Sequence, residues 1–295
     1  MVEKINVAEF LKLLAMGRTI DWVLNPGNAG DSLIAAGTVQ LFNDHAIPYR
    51  CIHEYDSYDS TGKILCYSGG GCLVPHYSFA RDFLSSRHRR AERVVLLPHT
   101  VDGNEDLLAE FGANVTVICR EAVSYGHCRR TVTNAQVHAA DDLAFSLAAR
   151  EYLTRPPGVL GLRNEAVNAK MLDRYHEFLT RSAGEQTLVA WREDVERNDR
   201  RPEPARYDIA NTFGIESIYG LAAMLTSAEY FLRAVDQFET ICTDRLHVAV
   251  AGVLLGKHVE IYPNSYFKNR AMYDFSFHRY PGVRFIEWSA MGTSG

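Results

Sequence analysis

Hydrophobic and polar positions along the chain repeat one pattern: a short apolar run, a turn of glycine or small polar residues, then a segment with helical spacing. Residues 20–24 form the first apolar run, 25–31 its turn and 32–45 its helix, with Leu33, Ala36 and Leu41 on one face. The pattern recurs at 63–67, 68–71 and about 77–89. It recurs again at 93–97, leading through the loop 98–101 to a helix near 104–111, and at 115–119, leading through Arg120-Glu121 to a helix ending near 129. A short amphipathic helix over 4–16 precedes these units. Buried strands alternating with helices predict a parallel sheet covered on both faces, with its ligands beyond the carboxyl ends of the strands.

The second half repeats the arrangement after a Pro/Gly-containing linker at 154–158. Strands are expected at 159–163, 187–191, 240–243, 258–262 and 283–287. Helices are expected at 165–182, at 215–235 (one helix or two broken near Ser227) and from 244 to Gly256. The charged segment 194–206 and the polar segment 263–268 read as exposed loops. The fold class is therefore α/β: two doubly wound Rossmann-like domains, 1–155 and 156–295, with the active site in the cleft between them.

Composition narrows the function. Of 295 residues, 47% are hydrophobic and 23% charged, a globular profile. The net charge of −5 argues against nucleic acid as a partner. Six cysteines show neither a C-x-x-C pair nor zinc spacing, which fits a reducing, cytoplasmic location. No apolar run reaches the length of a membrane span, so membrane contact would be peripheral. No H-x-x-x-H, H-E-x-x-H or Cys/His cluster calls for a metal, and no G-x-S-x-G elbow for acyl transfer.

The densest chemistry lies at Thr243-Asp244-Arg245-Leu246-His247. A strand ends there and an apolar helix begins, with Thr243-Asp244 expected as the cap and Arg245 and His247 in the first turn. Unpaired N–H groups and the positive helix end suit an anion at that place; a capped helix with a solvated Arg and His is the plainer alternative. Gly27, Asn28, Gly30 and Asp31 resemble a phosphate cradle or, equally, a tight turn with Asp31 as cap. Gly69, Gly70 and Gly71 allow close backbone approach to a ligand, or form a flexible turn. Arg120 and Arg192 stand at strand ends, where arginine binds carboxylate or phosphate in bidentate fashion or makes a structural ion pair. His99 occupies another strand-to-helix junction.

In this order the motifs resemble those of the polysaccharide pyruvyl transferase family. The resemblance is carried by residues 27–31, 69–71, Leu97-Pro98-His99-Thr100, Arg120-Glu121-Ala122-Val123-Ser124, Asp142-Leu143-Ala144-Phe145, Arg192-Glu193-Asp194, the Asp-Arg-Leu-His element at 244–247, and Asn264-Ser265-Tyr266-Phe267-Lys268. It implies a fold similar to GT-B glycosyltransferases, with phosphoenolpyruvate as donor substrate and no cofactor. The implied product is a pyruvate ketal on a sugar of a surface polysaccharide or its lipid-linked precursor. By the same resemblance Arg245 and Arg120 are donor-anion ligands and His247 is the acid/base, with Asp244 beside it. Ser124, Asn264 and Lys268 join the substrate-binding set. The family often has glutamine at the place of His99, and Asp and Gly at those of Pro263 and Phe267. A nucleotide-sugar glycosyltransferase and a glycan-binding protein with a degenerate cleft are the competing readings.

Overall fold

The structure, a computed structural model, describes residues 2–53, 55, 57–154, 165–201, 205–215 and 219–288. These gather into two compact units. The first comprises Met1–Gly27, Asp31–Leu147 and Ile215–Leu225; the second comprises Asn28–Gly30, Ala148–Gly214 and Thr226–Gly295. Against an expected boundary at 155/156, the chain passes from the first unit to the second at Leu147/Ala148, and 215–225 returns to the first.

In the first unit, helix α1 (Val7–Ala15) precedes strand β1 (Ile20–Val23), α2 (Ala29–Asp44), β2 (Tyr49–Ile52), β3 (Ile64–Tyr67) and β4 (Gly70–Leu73). Then follow α3 (Phe79–Arg87), β5 (Arg93–Val101), α4 (Glu105–Glu110), β6 (Val115–Cys119), α5 (Ala122–Thr131) and β7 (Gln136–Ala139). The sheet runs β2-β1-β3-β5-β6-β7, with β4 paired to the far end of β5, and every pairing is parallel. β1 and β3 are buried at every position: β3 is apolar throughout, and the one charged residue of β1, Asp21, is paired with Arg50 (2.7 Å). Val23, Leu65, Leu96 and Val117 of the strands meet Phe83, Leu84, Leu108 and Phe111 of the helices in the core. The chain goes outward from β1 to β2 and then returns to β3. The strand order therefore reverses between β1 and β3, the place where doubly wound sheets bind ligands.

Two expected loops are strand instead. β5 continues through Pro98 and His99 to Val101, and the glycine turn becomes β4, paired Gly70↔His99 and Leu73↔Val101. The sequence hid both, because glycine and proline normally end strands. Proline is tolerated in β5 because the register shifts there between Leu96 and His99. Gly70 has φ +145°, a conformation that disfavours any side chain.

The second unit holds α6 (Ala149–Thr154), α7 (Glu165–Arg181), β8 (Thr187–Ala190), α8 (Ile209–Thr212), α9 (Gly220–Asp236), β9 (Thr240–Thr243), α10 (Leu246–Leu254), β10 (His258–Ile261), α11 (Lys268–Phe275) and β11 (Val283–Phe285). The first turn of α9 belongs to the first unit. The sheet order is β11-β10-β9-β8, again parallel. α10 lies close on this sheet. A Cβ on Gly252 would come within 2.8 Å of Val259 and 3.2 Å of Ile241. α9 is one helix, not two: the Ser227 hydroxyl bonds the Phe213 carbonyl (2.6 Å), so it is held within the fold rather than breaking the helix. The expected strand at 159–163 falls outside the described residues. Both sheets are parallel α/β sheets of the Rossmann-like kind.

Candidate active site

At the carboxyl end of β9 the chain makes a tight corner. The Thr243 hydroxyl donates to the Ala190 carbonyl (2.6 Å) and accepts the Arg245 N–H (3.0 Å). Arg245, still extended (φ −94°, ψ 114°), is the residue that caps α10, and its side chain makes no capping bond. Asp244 does not cap the helix, contrary to the sequence expectation. Its Oδ1 instead accepts the backbone N–H of Arg192, past the end of β8 (2.8 Å). Asp244 is fully buried and its Oδ2 has no hydrogen-bond partner. Burial raises its carboxyl to about 6, against the opposing pull of the Arg192 N–H and of nearby arginines.

The Arg245 guanidinium lies between two carboxylates, Asp194 at 3.0 Å and Asp208 at 2.5 Å, and is 4% exposed. Its Nε has no hydrogen-bond partner. Arg192 is likewise buried, bound to Asp194 (2.8 Å) and Glu196 (2.6 Å). Lys268 completes the lattice on Glu196. Burial alone would raise the Glu196 carboxyl, but the charges of Lys268 and Arg192 hold it down to about 2. Asn264 donates to Glu196 (3.3 Å) and accepts the Asn269 N–H (3.2 Å). Asn269 in turn donates to the carbonyls of Asp244 (2.6 Å) and Tyr262 (2.8 Å).

Thus Arg192, Asn264 and Lys268, expected as substrate ligands, are bound into the protein's own ion-pair lattice. The expected exposed loop 194–206 contributes the buried Glu196 to it. Asp208 and Glu196 were missed in the sequence. Asp208 is the N-cap of the four-residue helix α8, too short to leave a periodic signal. Around the lattice three cations (Arg192, Arg245, Lys268) face four carboxyls (Asp194, Glu196, Asp208, Asp244), so it is neutral when Asp244 holds a proton.

His247 follows in the first turn of α10. Its ring lies against Gly30: a Cβ there would be 2.6 Å from Nδ1 and 2.9 Å from the His247 Cβ. The turn 28–30 is closed by Asn28, whose Oδ1 accepts the Gly30 N–H (2.9 Å) at the start of α2. Asn28, not Asp31, makes this bond. Two motifs more than 200 residues apart in sequence therefore meet here, and the first turns of α2 and α10 bring helix N-termini to one place.

The remaining candidates lie in the first unit. Asp31 accepts the Asn25 side-chain N–H (2.7 Å) and covers Gly27, where a Cβ would be 1.9 Å from Oδ2. Asn25 Oδ1 accepts from the Tyr67 hydroxyl and the Cys72 thiol, both 2.8 Å. A Cβ on Gly69 would be 2.8 Å from the Pro98 carbonyl, and one on Gly70 3.0 Å from Asn25 Nδ2. These glycines are needed for close approach of the chain to itself, while Gly71 is half-buried within β4.

His99 is fully buried, and its Nε2 accepts the N–H groups of Cys72 (3.1 Å) and Leu73 (3.2 Å). Burial, with the nearby Arg120 charge, lowers it to about 3. It is a neutral ring that ties β4 to β5. Arg120, 1% exposed, bonds Asp142 (2.7 Å) and Thr100 (2.9 Å). The Ser124 hydroxyl accepts the Val101 N–H (2.8 Å) and its own N–H meets the Glu121 carboxylate. Of the expected set, the structure brings Asn28, Gly30, Arg192, Asp244, Arg245, His247, Asn264 and Lys268 into the second unit; Arg120, Ser124 and His99 are bound into the first unit's core.

Parallel α/β sheets with an arginine and a histidine at a helix start are the features this chain brings to the comparison with known proteins. Residues 28–265 match the polysaccharide pyruvyl transferase profile, and the chain belongs to that family. It is 24% identical over 283 residues to EpsO of Bacillus subtilis (strain 168), which carries the provisional name of a pyruvyl transferase; the match covers 88% of this chain and 85% of EpsO. It is also similar to a crystal structure of an uncharacterized protein from Klebsiella pneumoniae subsp. pneumoniae NTUH-K2044. There the TM-score is 0.74 and the identity 29%, over 95% of this chain and 96% of that one. Among the described residues no helix is long and apolar enough to cross a membrane, and no group of three His, Cys, Asp or Glu side chains is placed to hold a metal.

Proposed function

We propose that this protein transfers pyruvate from phosphoenolpyruvate to a sugar of a surface polysaccharide or its lipid-linked precursor, forming a pyruvate ketal and releasing phosphate. The observation that carries the reading is His247, seated on Gly30 beside Arg245 at the start of α10. The donor has a carboxylate and a phosphate, and the N-terminal turns of α2 and α10 offer N–H groups to such anions. Arg245 enters this picture differently from a bare anion ligand. Two carboxylates already hold its terminal nitrogens, so a donor anion either meets the one unpartnered group, Nε, or replaces Asp194 or Asp208.

In the reaction, His247 as imidazolium gives a proton to the methylene carbon of the enol. The acceptor's first hydroxyl adds to the resulting electrophilic carbon and returns a proton to His247. The second hydroxyl then displaces phosphate, which leaves with that hydroxyl's proton, and the ketal closes. Atoms and charge balance without a redox partner or a metal.

General acid–base catalysis contributes about 10²–10⁴ in rate. His247→Ala should lower kcat by that factor in an assay of phosphate released from phosphoenolpyruvate with acceptor present, while the melting temperature stays unchanged. An unaltered kcat would exclude the role. Should UDP- or CMP-sugars rather than phosphoenolpyruvate raise the melting temperature, the nucleotide-sugar reading would replace this one.

A further inference from the structure

Beside the ion-pair lattice, past the carboxyl ends of the second sheet, stand three aromatic rings to which the transfer chemistry gives no task. Trp191 follows β8, Tyr262 follows β10 and Trp288 comes shortly after β11. Trp191 packs edge-on against Tyr262 (5.0 Å, 83°) and at 67° against Trp288 (5.1 Å), and Tyr262 and Trp288 lie 4.5 Å apart at 30°. Trp191 is 7% exposed and makes the floor, while Tyr262 and Trp288 are only half-buried. Their orientations are fixed. Trp288 Nε1 donates to the Pro263 carbonyl (2.9 Å), and the Tyr262 hydroxyl donates to Glu260 Oε2 (3.3 Å). The Cys242 thiol reaches the same oxygen (3.4 Å).

The cluster is continuous with the site. Trp191 is joined to Arg192, and Asn269 holds the carbonyls of Tyr262 and Asp244 with one amide. Aromatic faces carry partial negative charge and attract polarised C–H groups, while a neighbouring carboxylate accepts from hydroxyls. A pyranose ring presents that pair of surfaces, C–H bonds on its face and hydroxyls at its rim. A nucleotide would also stack, but its phosphates would meet the carboxylates of Glu260 and the lattice.

We propose that Trp191, Tyr262 and Trp288, edged by Glu260, form a platform that binds a pyranose ring of the acceptor glycan. This rests on the glycan-acceptor reading given above.

The test separates the two. Of the three tryptophans, Trp22 is fully buried in the first unit, so saccharide-dependent fluorescence reports on Trp191 and Trp288. Methyl pyranosides of glucose, galactose and mannose, added without phosphoenolpyruvate, should give a saturable change that Trp288→Ala abolishes and uridine does not produce. Because no donor is present, failure of pyruvyl transfer would leave this result standing. In the turnover assay Trp288→Ala should raise the acceptor KM about tenfold, with kcat and the donor KM unchanged, and Trp288→Phe should recover most of the loss. Glu260→Gln, which keeps all three rings, should raise the acceptor KM as well. The platform is excluded if the pyranosides leave fluorescence unchanged, if uridine binds in their place, or if both variants keep the wild-type acceptor KM.

Discussion

Burial decides most of what the charged residues of this chain do. Asp244 and Glu196 belong to one lattice, yet their carboxyls move in opposite directions, to about 6 and about 2. For Glu196, paired with Lys268 and Arg192, the stabilisation is fully present above its unfolded value near 4.5 and is lost as pH falls toward 2. For Asp244 the folded state holds a proton that the unfolded chain gives up near 3.8. Its contribution is therefore largest below about pH 4 and declines as pH rises through 6, by at most about 3 kcal/mol. Thermal unfolding across pH 3–8 should show that decline, and Asp244→Asn, which can still accept the Arg192 N–H, should remove it. A slope identical in wild type and variant would contradict the assignment. Arg120 offers a second test at this scale. It is buried against Asp142, and Arg120→Ala would leave that buried carboxylate without this counter-charge, at a cost of about 3–5 kcal/mol in denaturant unfolding. A loss of donor affinity without loss of stability would instead return Arg120 to the ligand set.

Among the elements, the contact of α10 with the start of α2 is the most consequential. Gly30→Ala puts a methyl group within 2.6 Å of His247 Nδ1 and 2.9 Å of its Cβ, so turning the ring alone does not relieve the contact and His247 must shift as a whole. Turnover should fall nearly as far as in His247→Ala, with a stability loss of about 1–3 kcal/mol from the overpacked contact. Wild-type kcat in Gly30→Ala would mean that the ring position is unimportant.

The strands β1, β3, β6 and β9 and the helices α7 and α10 were legible because each carries a run made mostly of apolar and β-branched residues or a helical period. β4 was not, since Gly70-Gly71 reads as a turn and only its pairing to β5 makes it a strand. The site was legible in part for the same kind of reason. Asp244, Arg245 and His247 are adjacent in sequence and local chemistry marks them. Asp208 and Glu196 act through contacts 37 and 72 residues away, which no local pattern announces. Arg192 and Lys268 were found as cations, but whether a buried cation faces a ligand or a carboxylate depends on those same distant partners.

At the scale of the whole chain, each parallel sheet places its strand-end loops on a defined rim, and family membership names the class of reaction as pyruvyl transfer. The central claim is that His247 protonates the enol carbon of phosphoenolpyruvate on the way to a ketal. Turnover in heavy water with an acceptor glycan tests it most directly, with the product methyl group read by NMR and mass spectrometry. The account predicts a ketal whose methyl group carries a single solvent deuterium, formed in equal amount to phosphate and lost in His247→Ala. A ketal methyl free of deuterium, or a product bearing a new sugar instead of pyruvate, would contradict it.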